Sequence, residues 1–188
     1  MEEGSSIRHE VIMSGTGGKG VLVAGQLLAE AGMQKYNYVT WTPTYFAAMR
    51  GGSCECTVIL SNEKIASPLL TKAEVVIVFE PSQLKDFEAR VKQDGIFIIE
   101  STGLPGVKRQ DIRIVKVPAA ETAVKLGGIM AANLVLLGTY VEITKAAPAE
   151  LVEIEIERRF GGNEKRLSLN KQAFRQGMLL AAREQNWY

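Results

Sequence analysis

A glycine cluster near the N-terminus is the part of the sequence best suited to bind a ligand. Its pattern is G-x-G-x-x-G, and an apolar, strand-like segment precedes it while a helix-like segment follows it; the residues are Gly15, Thr16, Gly17, Gly18, Lys19 and Gly20. Glycines let the backbone approach a ligand closely, and the first turn of the following helix offers unpaired N–H groups to an anion. The cluster therefore predicts a cofactor-binding loop for a phosphate or nucleotide group, with Lys19 adding a positive charge.

Two other interpretations of the cluster stay open. The glycines could merely allow close packing of the strand against the helix. A dinucleotide site of the dehydrogenase type is disfavoured, because it needs an acidic residue about 20 positions further on, and no Asp or Glu lies between Glu30 and Glu55. A Walker A loop is excluded, because Gly20 is followed by Val21 and Leu22 rather than by Lys and Ser or Thr.

A second loop carries a positive charge on a flexible backbone. It contains Tyr45 and, after it, Arg50, Gly51 and Gly52. An arginine on such a loop can clamp a carboxylate or phosphate, or insert into a partner protein. The alternative is a solvated arginine at the entrance of a hairpin.

The counts of reactive residues exclude several classes of function. The chain has one histidine, His9, and two cysteines, Cys54 and Cys56. Structural zinc sites and iron–sulfur clusters normally need four ligands, so we predict neither a metal site nor a catalytic residue on this chain. The net charge of +1 argues against a nucleic-acid partner, since nucleic-acid binders usually carry a basic excess.

The same composition indicates a cytoplasmic protein. Two cysteines give no disulfide framework, and residues 1–6 are polar, unlike a signal peptide. The most apolar stretch, Ile129 to Val141, has 13 residues, which is too few to cross a bilayer. We therefore expect no membrane association.

Alternating strand-like and helix-like segments predict an α/β fold. We expect a single domain over residues 1–188, with a Rossmann-like, mostly parallel sheet, helices on both faces and a small β-hairpin insertion. Predicted strands cover residues 8–13, 38–41, 54–60, 75–79, 96–99 and 112–117, with a turn at 93–95. Predicted helices cover 21–36, 80–92, a region after Pro118 that is interrupted at 127–128 and continues over 129–143, and 168–184. Residues 148–160 are ambiguous, because alternating apolar residues fit a strand whereas Pro148 and the abundant Glu and Arg favour a helix. The hairpin is expected where Ser61 and Asn62 turn 54–60 back into 63–66, and residues 42–52 are expected to form a loop.

With these segments placed, the chain resembles the gamma subunit of 2-oxoacid:ferredoxin (acceptor) oxidoreductases. The similarity runs through nearly the whole chain in order: the glycine cluster with Ala24-Gly25, the loop from Thr42 to Ser53, Ile65 to Pro68, the block from Val117 to Gly138, and Asn170, Ala173, Phe174 and Gly177. Departures occur as well. Lys19 stands where the family has Gln, and Gly128 stands where it usually has Asn.

This resemblance implies an accessory subunit of an enzyme. The complex oxidatively decarboxylates a 2-oxoacid with coenzyme A, giving acyl-CoA, carbon dioxide and reduced ferredoxin. Its thiamine diphosphate lies between alpha and beta subunits, its iron–sulfur clusters lie on other chains, and its partners also include a delta subunit. The isolated chain is expected to be inactive, with a coenzyme A phosphate near the glycine cluster and Tyr45 and Arg50 towards the partners. The Arg-Gly-Gly form favours the 2-oxoglutarate type over the pyruvate and ketoisovalerate types. The alternative is a free-standing Rossmann-like nucleotide-binding module.

Overall fold

The computed structural model describes residues 7–45, 52–102 and 106–185. These segments contain six strands and six α-helices, with short 3₁₀ turns at Pro81–Gln83 and Ile129–Ala131. The strands are β1 (Arg8–Thr16), β2 (Tyr38–Tyr45), β3 (Ser53–Ser61), β4 (Ala73–Val78), β5 (Val91–Glu100) and β6 (Arg113–Val117). The helices are α1 (Val21–Gly32), α2 (Leu84–Glu88), α3 (Ala119–Lys125), α4 (Ala132–Thr144), α5 (Ala149–Phe160) and α6 (Glu164–Gln185).

The strands form one mixed sheet in the order β2-β3-β1-β4-β5-β6. The pairs β1–β4, β4–β5 and β5–β6 are parallel, and β3 runs antiparallel to both of its neighbours, β1 and β2. Five of the six strands therefore point in one direction. The predicted α/β fold with a mostly parallel sheet is confirmed.

The helices cover the two faces of the sheet unequally. On one face, the sheet packs against α1, α3, α4, α5 and α6. This larger core includes Met13, Leu28 and Phe174. The opposite face carries a smaller core, in which Val76 and Phe97 pack against Leu84 and Phe87 of the short α2. Because the central strands are covered on both sides, they are continuously apolar, as in Val75 to Val78.

The hairpin lies elsewhere than predicted. It is formed by β2 and β3, with Tyr38 opposite Ser61 and Tyr45 opposite Cys54. The pairing of 54–60 with 63–66 does not form, because both edges of β3 are already occupied by β1 and β2. Strand β2 also runs through part of the predicted loop, to Tyr45. Pro43 is tolerated there because β2 is an edge strand, where one side of the backbone needs no ladder donor.

Two predicted element boundaries were wrong. The helix predicted over 80–92 is confined to α2, because β5 already begins at Val91. The turn predicted at Asp94 is an irregularity inside β5, where the pairing with β4 shifts and Asp94 adopts a φ of 58°.

The last helix begins earlier than Ser168. Its start is capped by Asn163, whose side-chain oxygen accepts the backbone N–H of Arg166 at 2.9 Å. The ambiguous segment after Pro148 is helical, as its charged residues favoured. Across the described part of the chain, no helix is both long enough and apolar enough to cross a bilayer.

Candidate ligand-binding cleft

A cleft of about 560 Å³ opens at the carboxyl ends of β1, β4 and β5. This volume is within the usual range for small-molecule sites, roughly 300–1,000 Å³. It is lined by the glycine loop, the ends of β4 and β5, the start of α3 and the start of α4: Gly17, Gly18, Lys19, Phe79, Glu80, Pro81, Glu100, Thr102, Ala120, Ile129, Met130, Ala132, Asn133 and Leu136.

The position of the cleft follows from the topology. The chain leaving β1 enters α1, which packs in the larger core, whereas the chain leaving the neighbouring β4 enters α2, which packs on the opposite face. Two adjacent parallel strands whose connections diverge in this way leave a crevice outside their carboxyl ends, and open α/β sheets bind ligands there.

The glycine cluster serves both packing and loop conformation. Gly15 lies within β1, and a Cβ added to it would approach Val21 Cγ2 to 2.7 Å and Phe79 Cβ to 3.0 Å, so this glycine allows close strand–helix packing. Gly18 and Gly20 have φ values of 88° and 74°, in the left-handed region that favours glycine. No side chain in the described ranges caps α1 at Gly20, so the N-terminus of this helix, directly after the loop residues that line the cleft, carries no capping side chain.

A buried glutamine supports the glycine loop from below. The Gln83 side-chain amide donates to the carbonyl oxygen of Gly15 at 3.2 Å, and its side-chain oxygen accepts the hydroxyl of Ser14. Sequence reasoning missed Gln83, which lies far from the loop in the chain. The only available signal was its position just after Pro81 at the end of an apolar strand.

Lys19 does not project freely towards a ligand. Its Nζ lies 3.0 Å from Glu80 Oε2, and the two side chains are 47% and 27% exposed. The predicted positive charge is therefore present at the cleft, but it is paired with a carboxylate from the end of β4. Glu80 was identified from the sequence only as the start of a helix.

A second carboxylate, that of Glu100, lies in the cleft wall and is only 4% exposed. One of its oxygens accepts the backbone N–H and the hydroxyl of Thr102, at 3.0 and 2.5 Å. The other accepts the backbone N–H of Ala120 at 2.8 Å. Glu100 thus caps the N-terminus of α3 and ties it to β5. Sequence analysis missed it, although an acid directly after a buried apolar strand was a usable signal.

Asn133, which is 3% exposed, joins the start of α4 to the glycine loop. Its side-chain amide donates to the carbonyl oxygen of Gly20 at 3.1 Å. This asparagine therefore satisfies a backbone acceptor of the glycine loop. Its side-chain oxygen is buried and has no hydrogen-bond partner among the residues that the structure describes, so it is an unused acceptor in the wall of the cleft.

Tyr45 and Gly52, which belong to the second predicted loop, lie beside the glycine cluster. The backbone N–H of Gly17 donates to the carbonyl oxygen of Gly52 at 3.1 Å. Gly15 and Tyr45 lie opposite Cys54 on its two sides in the sheet, and Tyr45 is 73% exposed. Tyr45 and Gly52 therefore lie at the same edge of the sheet as the glycine cluster. Arg50 and Gly51 lie outside the described residues.

The cysteines beside this edge are buried thiols. Burial raises the pKa of the Cys54 thiol, and it raises the pKa of the Cys56 thiol to about 12. Both are protonated at neutral pH and are poor nucleophiles. Within residues 7–45, 52–102 and 106–185, no three His, Cys, Asp or Glu side chains are grouped so that they could hold a metal ion.

Comparison with known families assigns the chain. Residues 10–180 match the family described as pyruvate ferredoxin/flavodoxin oxidoreductase. This range includes every segment that lines the cleft. The chain belongs to this family.

Curated relatives include subunits of several 2-oxoacid oxidoreductases. Ketoisovalerate oxidoreductase subunit VorA of Methanothermobacter marburgensis is 30% identical over 85% of the chain, but the match covers 34% of that relative. The 2-oxoglutarate synthase subunit KorC of the same organism is 28% identical, covering 80% of the chain and 86% of KorC. The pyruvate/ketoisovalerate oxidoreductases common subunit gamma of Pyrococcus abyssi is 29% identical, covering 88% of the chain and 95% of that subunit.

Solved structures share the fold. The chain superimposes on 2-oxoglutarate:ferredoxin oxidoreductase from Magnetococcus marinus, determined with 2-oxoglutarate, coenzyme A and succinyl-CoA, with a TM-score of 0.86 and 22% identity, covering 94% of this chain and 31% of that one. A keto/oxoacid ferredoxin oxidoreductase gamma subunit from Geobacter sulfurreducens gives 0.80 and 24% identity, covering 93% and 99%. The chain thus spans about a third of some relatives and nearly all of others.

Proposed function

We propose that this chain is the gamma subunit of a multi-subunit 2-oxoacid:ferredoxin oxidoreductase. The complex would oxidatively decarboxylate a 2-oxoacid with coenzyme A, giving acyl-CoA, carbon dioxide and reduced ferredoxin. The observation that carries the proposal is the family match over residues 10–180, supported by a relative named as a common gamma subunit that aligns along 95% of its length. Partners would be the alpha, beta and delta subunits, with ferredoxin as acceptor, in the cytoplasm.

The redox groups of this complex belong on the partner subunits. Cys54 and Cys56 lie two residues apart in β3, and both are buried. They are two cysteines, whereas an iron–sulfur cluster usually needs four thiolates. The resemblance to the family implies that thiamine diphosphate lies between the alpha and beta subunits. The contribution of this chain is then assembly and coenzyme A binding.

Two features of the cleft support the proposed binding of coenzyme A. The glycine loop contributes Gly17, Gly18 and Lys19 to the cleft wall and leads into the uncapped N-terminus of α1, a kind of position that favours a phosphate. Ile129 and Met130 present exposed apolar side chains at the mouth, suited to the pantetheine arm.

The candidate 2-oxoacid is 2-oxoglutarate. Relatives named 2-oxoglutarate synthase subunit KorC align with most of the chain and support it. Relatives named for ketoisovalerate and pyruvate match to a similar degree. The substrate pocket of such a complex lies mostly on other chains, so the assay must compare all three acids.

Co-purification tests the proposed function. The tagged chain is recovered from its native cell, and the eluate is assayed for coenzyme A-dependent reduction of an acceptor by 2-oxoglutarate, ketoisovalerate or pyruvate. We expect stoichiometric partner chains that contain thiamine diphosphate and iron, with the highest activity on 2-oxoglutarate. Recovery of the chain alone at native abundance would instead indicate a free-standing nucleotide-binding module.

A further inference from the structure

The crevice between the ends of β1 and β4 is bridged by one ion pair. Lys19 comes from the loop after β1, and Glu80 comes from the chain directly after β4. The end of β4 is held in place next to β1, because the backbone N–H of Phe79 donates to the carbonyl oxygen of Ser14 at 2.8 Å. Pro81 then restricts the chain on the other side of Glu80. The carboxylate is therefore positioned beside the glycine loop by its backbone.

The charges lining the cleft are few and unbalanced. Lys19 is the one cation among the described lining residues, and Glu80 and Glu100 are the two carboxylates. Both oxygens of Glu100 are occupied by backbone donors of the β5–α3 connection. The remaining carboxylate, Glu80, is the one that holds Lys19. An anion reaching the glycine loop thus finds the local cation already paired.

We propose that Glu80 is a specificity-determining residue that competes with anionic ligands for Lys19. This inference rests on the proposed binding of coenzyme A at the cleft. A phosphate can gain Lys19 only if the Lys19–Glu80 pair opens, and it also meets the negative charge of Glu80. Glu80 therefore lowers the affinity of the cleft for phosphate-bearing ligands, and uncharged parts of a ligand do not experience this effect.

The expected size of the competition is modest. A half-exposed ion pair contributes up to about 1 kcal/mol, which corresponds to about a fivefold change in affinity. Removing the carboxylate also removes its repulsion of the phosphate. Replacing Glu80 by Gln preserves the shape of the side chain, so we expect coenzyme A to bind about 3- to 10-fold more tightly to Glu80→Gln.

The test is calorimetric titration of the full chain with coenzyme A and with pantetheine, which lacks the phosphates. Glu80→Gln should tighten coenzyme A binding and leave pantetheine binding unchanged, and added salt should reduce the difference. Lys19→Met should weaken coenzyme A binding, and in that background Glu80→Gln should have a smaller effect. The matched control is Glu142→Gln, which removes a carboxylate paired with Lys145 at the far end of α4 and should change neither affinity.

The outcomes separate this inference from the proposed function. If wild type binds coenzyme A and Glu80→Gln binds it no more tightly, Glu80 is not a competitor, and coenzyme A binding stands. Equal tightening for both ligands also overturns the inference, since the effect would then be one of shape. If only Glu80→Gln binds measurably, the inference is supported. If neither protein binds, both the competition and coenzyme A binding by this chain are overturned, while co-purification still decides subunit membership.

Discussion

At the scale of single residues, the glycine loop depends on a side chain that is distant in sequence. A Cβ added to Gly20 would lie 2.5 Å from the side-chain nitrogen of Asn133, the same atom that bonds the carbonyl oxygen of Gly20. At Gly18, by contrast, an added Cβ would meet no atom within 4 Å. The two glycines share a left-handed backbone but differ in the space around them.

This difference predicts unequal costs for two alanine substitutions. Gly18→Ala should lower the free energy of unfolding by about 1–2 kcal/mol, from backbone strain alone. Gly20→Ala should lower it by about 2–4 kcal/mol, because the added methyl group also displaces Asn133. Urea denaturation of the full chain, followed by circular dichroism, measures both values.

Asn133→Ala provides the control for this comparison. In that background the side-chain amide is gone, so the extra cost of Gly20→Ala over Gly18→Ala should shrink to below about 1 kcal/mol. Equal costs of the two glycine substitutions in the wild-type background would show that the Asn133 contact does not constrain the loop.

The sequence revealed the chemistry of single residues only where neighbours in the chain determine it. The glycine cluster was found because its members are adjacent and lie between a strand and a helix. The Lys19–Glu80 pair and the Gln83 support were not found, because they join segments that only the parallel pairing of β1 and β4 brings together. Spacing along a chain contains no information on such pairs until the strand order is known.

At the scale of elements, helices α4 and α6 cross with their backbones in close contact. Gly138 and Gly177 face each other's helix, and a Cβ on Gly138 would lie 2.0 Å from the carbonyl oxygen of Phe174. On the other side, a Cβ on Gly177 would lie 1.9 Å from the carbonyl oxygen of Val135. Thr139 adds a hydrogen bond across the crossing, from its hydroxyl to the carbonyl oxygen of Gly177 at 3.0 Å.

The crossing predicts that neither glycine tolerates a methyl group. Gly138→Ala and Gly177→Ala should each lower the free energy of unfolding by at least about 3 kcal/mol, since the backbones must separate, and the better helix propensity of Ala offsets only about 1 kcal/mol. Thermal and urea unfolding of the full chain measure the loss.

Gly162, in the turn between α5 and α6, is the matched control. A Cβ there would meet no atom within 4 Å, so Gly162→Ala should change stability by less than about 0.5 kcal/mol. A cost at Gly138 or Gly177 as small as that at Gly162 would contradict the tight crossing.

Most strands and the longer helices lie close to their predicted ranges, whereas the start of β5 and the pairing of β3 were predicted wrongly. Helices α1 and α4 lie close to their predicted ranges, and the ambiguous segment 148–160 is the helix α5. The start of β5 and the partner of β3 depend on which strand edges are occupied. That occupancy is a property of the whole sheet, which local propensity cannot provide.

At the scale of the whole molecule, the loops assigned to ligand and partner binding lie on the same side of the sheet, where β1 and β2 end and β3 begins. Tyr45 ends β2 there, Gly52 precedes β3, and the glycine loop follows β1. Strand β2 also carries a second exposed tyrosine, Tyr38, at its other end. Tyr45 is 73% exposed and Tyr38 is 44% exposed. The two residues allow the ends of the molecule to be compared.

We predict that partner subunits contact the Tyr45 end. Tyr45→Ala should reduce the yield of co-purified partner chains by roughly tenfold, as expected when a large aromatic anchor is removed from an interface. The melting temperature of the isolated chain should stay unchanged, because the side chain is exposed. Quantitative mass spectrometry of the tagged eluate measures the yield.

Tyr38→Ala is the comparison for this prediction, and it should leave the partner yield at the wild-type level. If Tyr38→Ala lowers the yield as much as Tyr45→Ala, or if neither substitution does, then the partner surface does not lie at the edge that carries the cleft.

The α4–α6 crossing also affects how the family's sequences are interpreted. Gly138 and Gly177 belong to two of the motifs by which the chain resembles its relatives, yet both lie where two helix backbones meet. If a glycine is invariant at such a position, the cause is a steric constraint. The glycine would then be retained even in a relative that no longer catalyses the reaction. These two motifs are therefore a signature of architecture, and divergence of function is better traced at residues that line the cleft, such as those at positions 19 and 80.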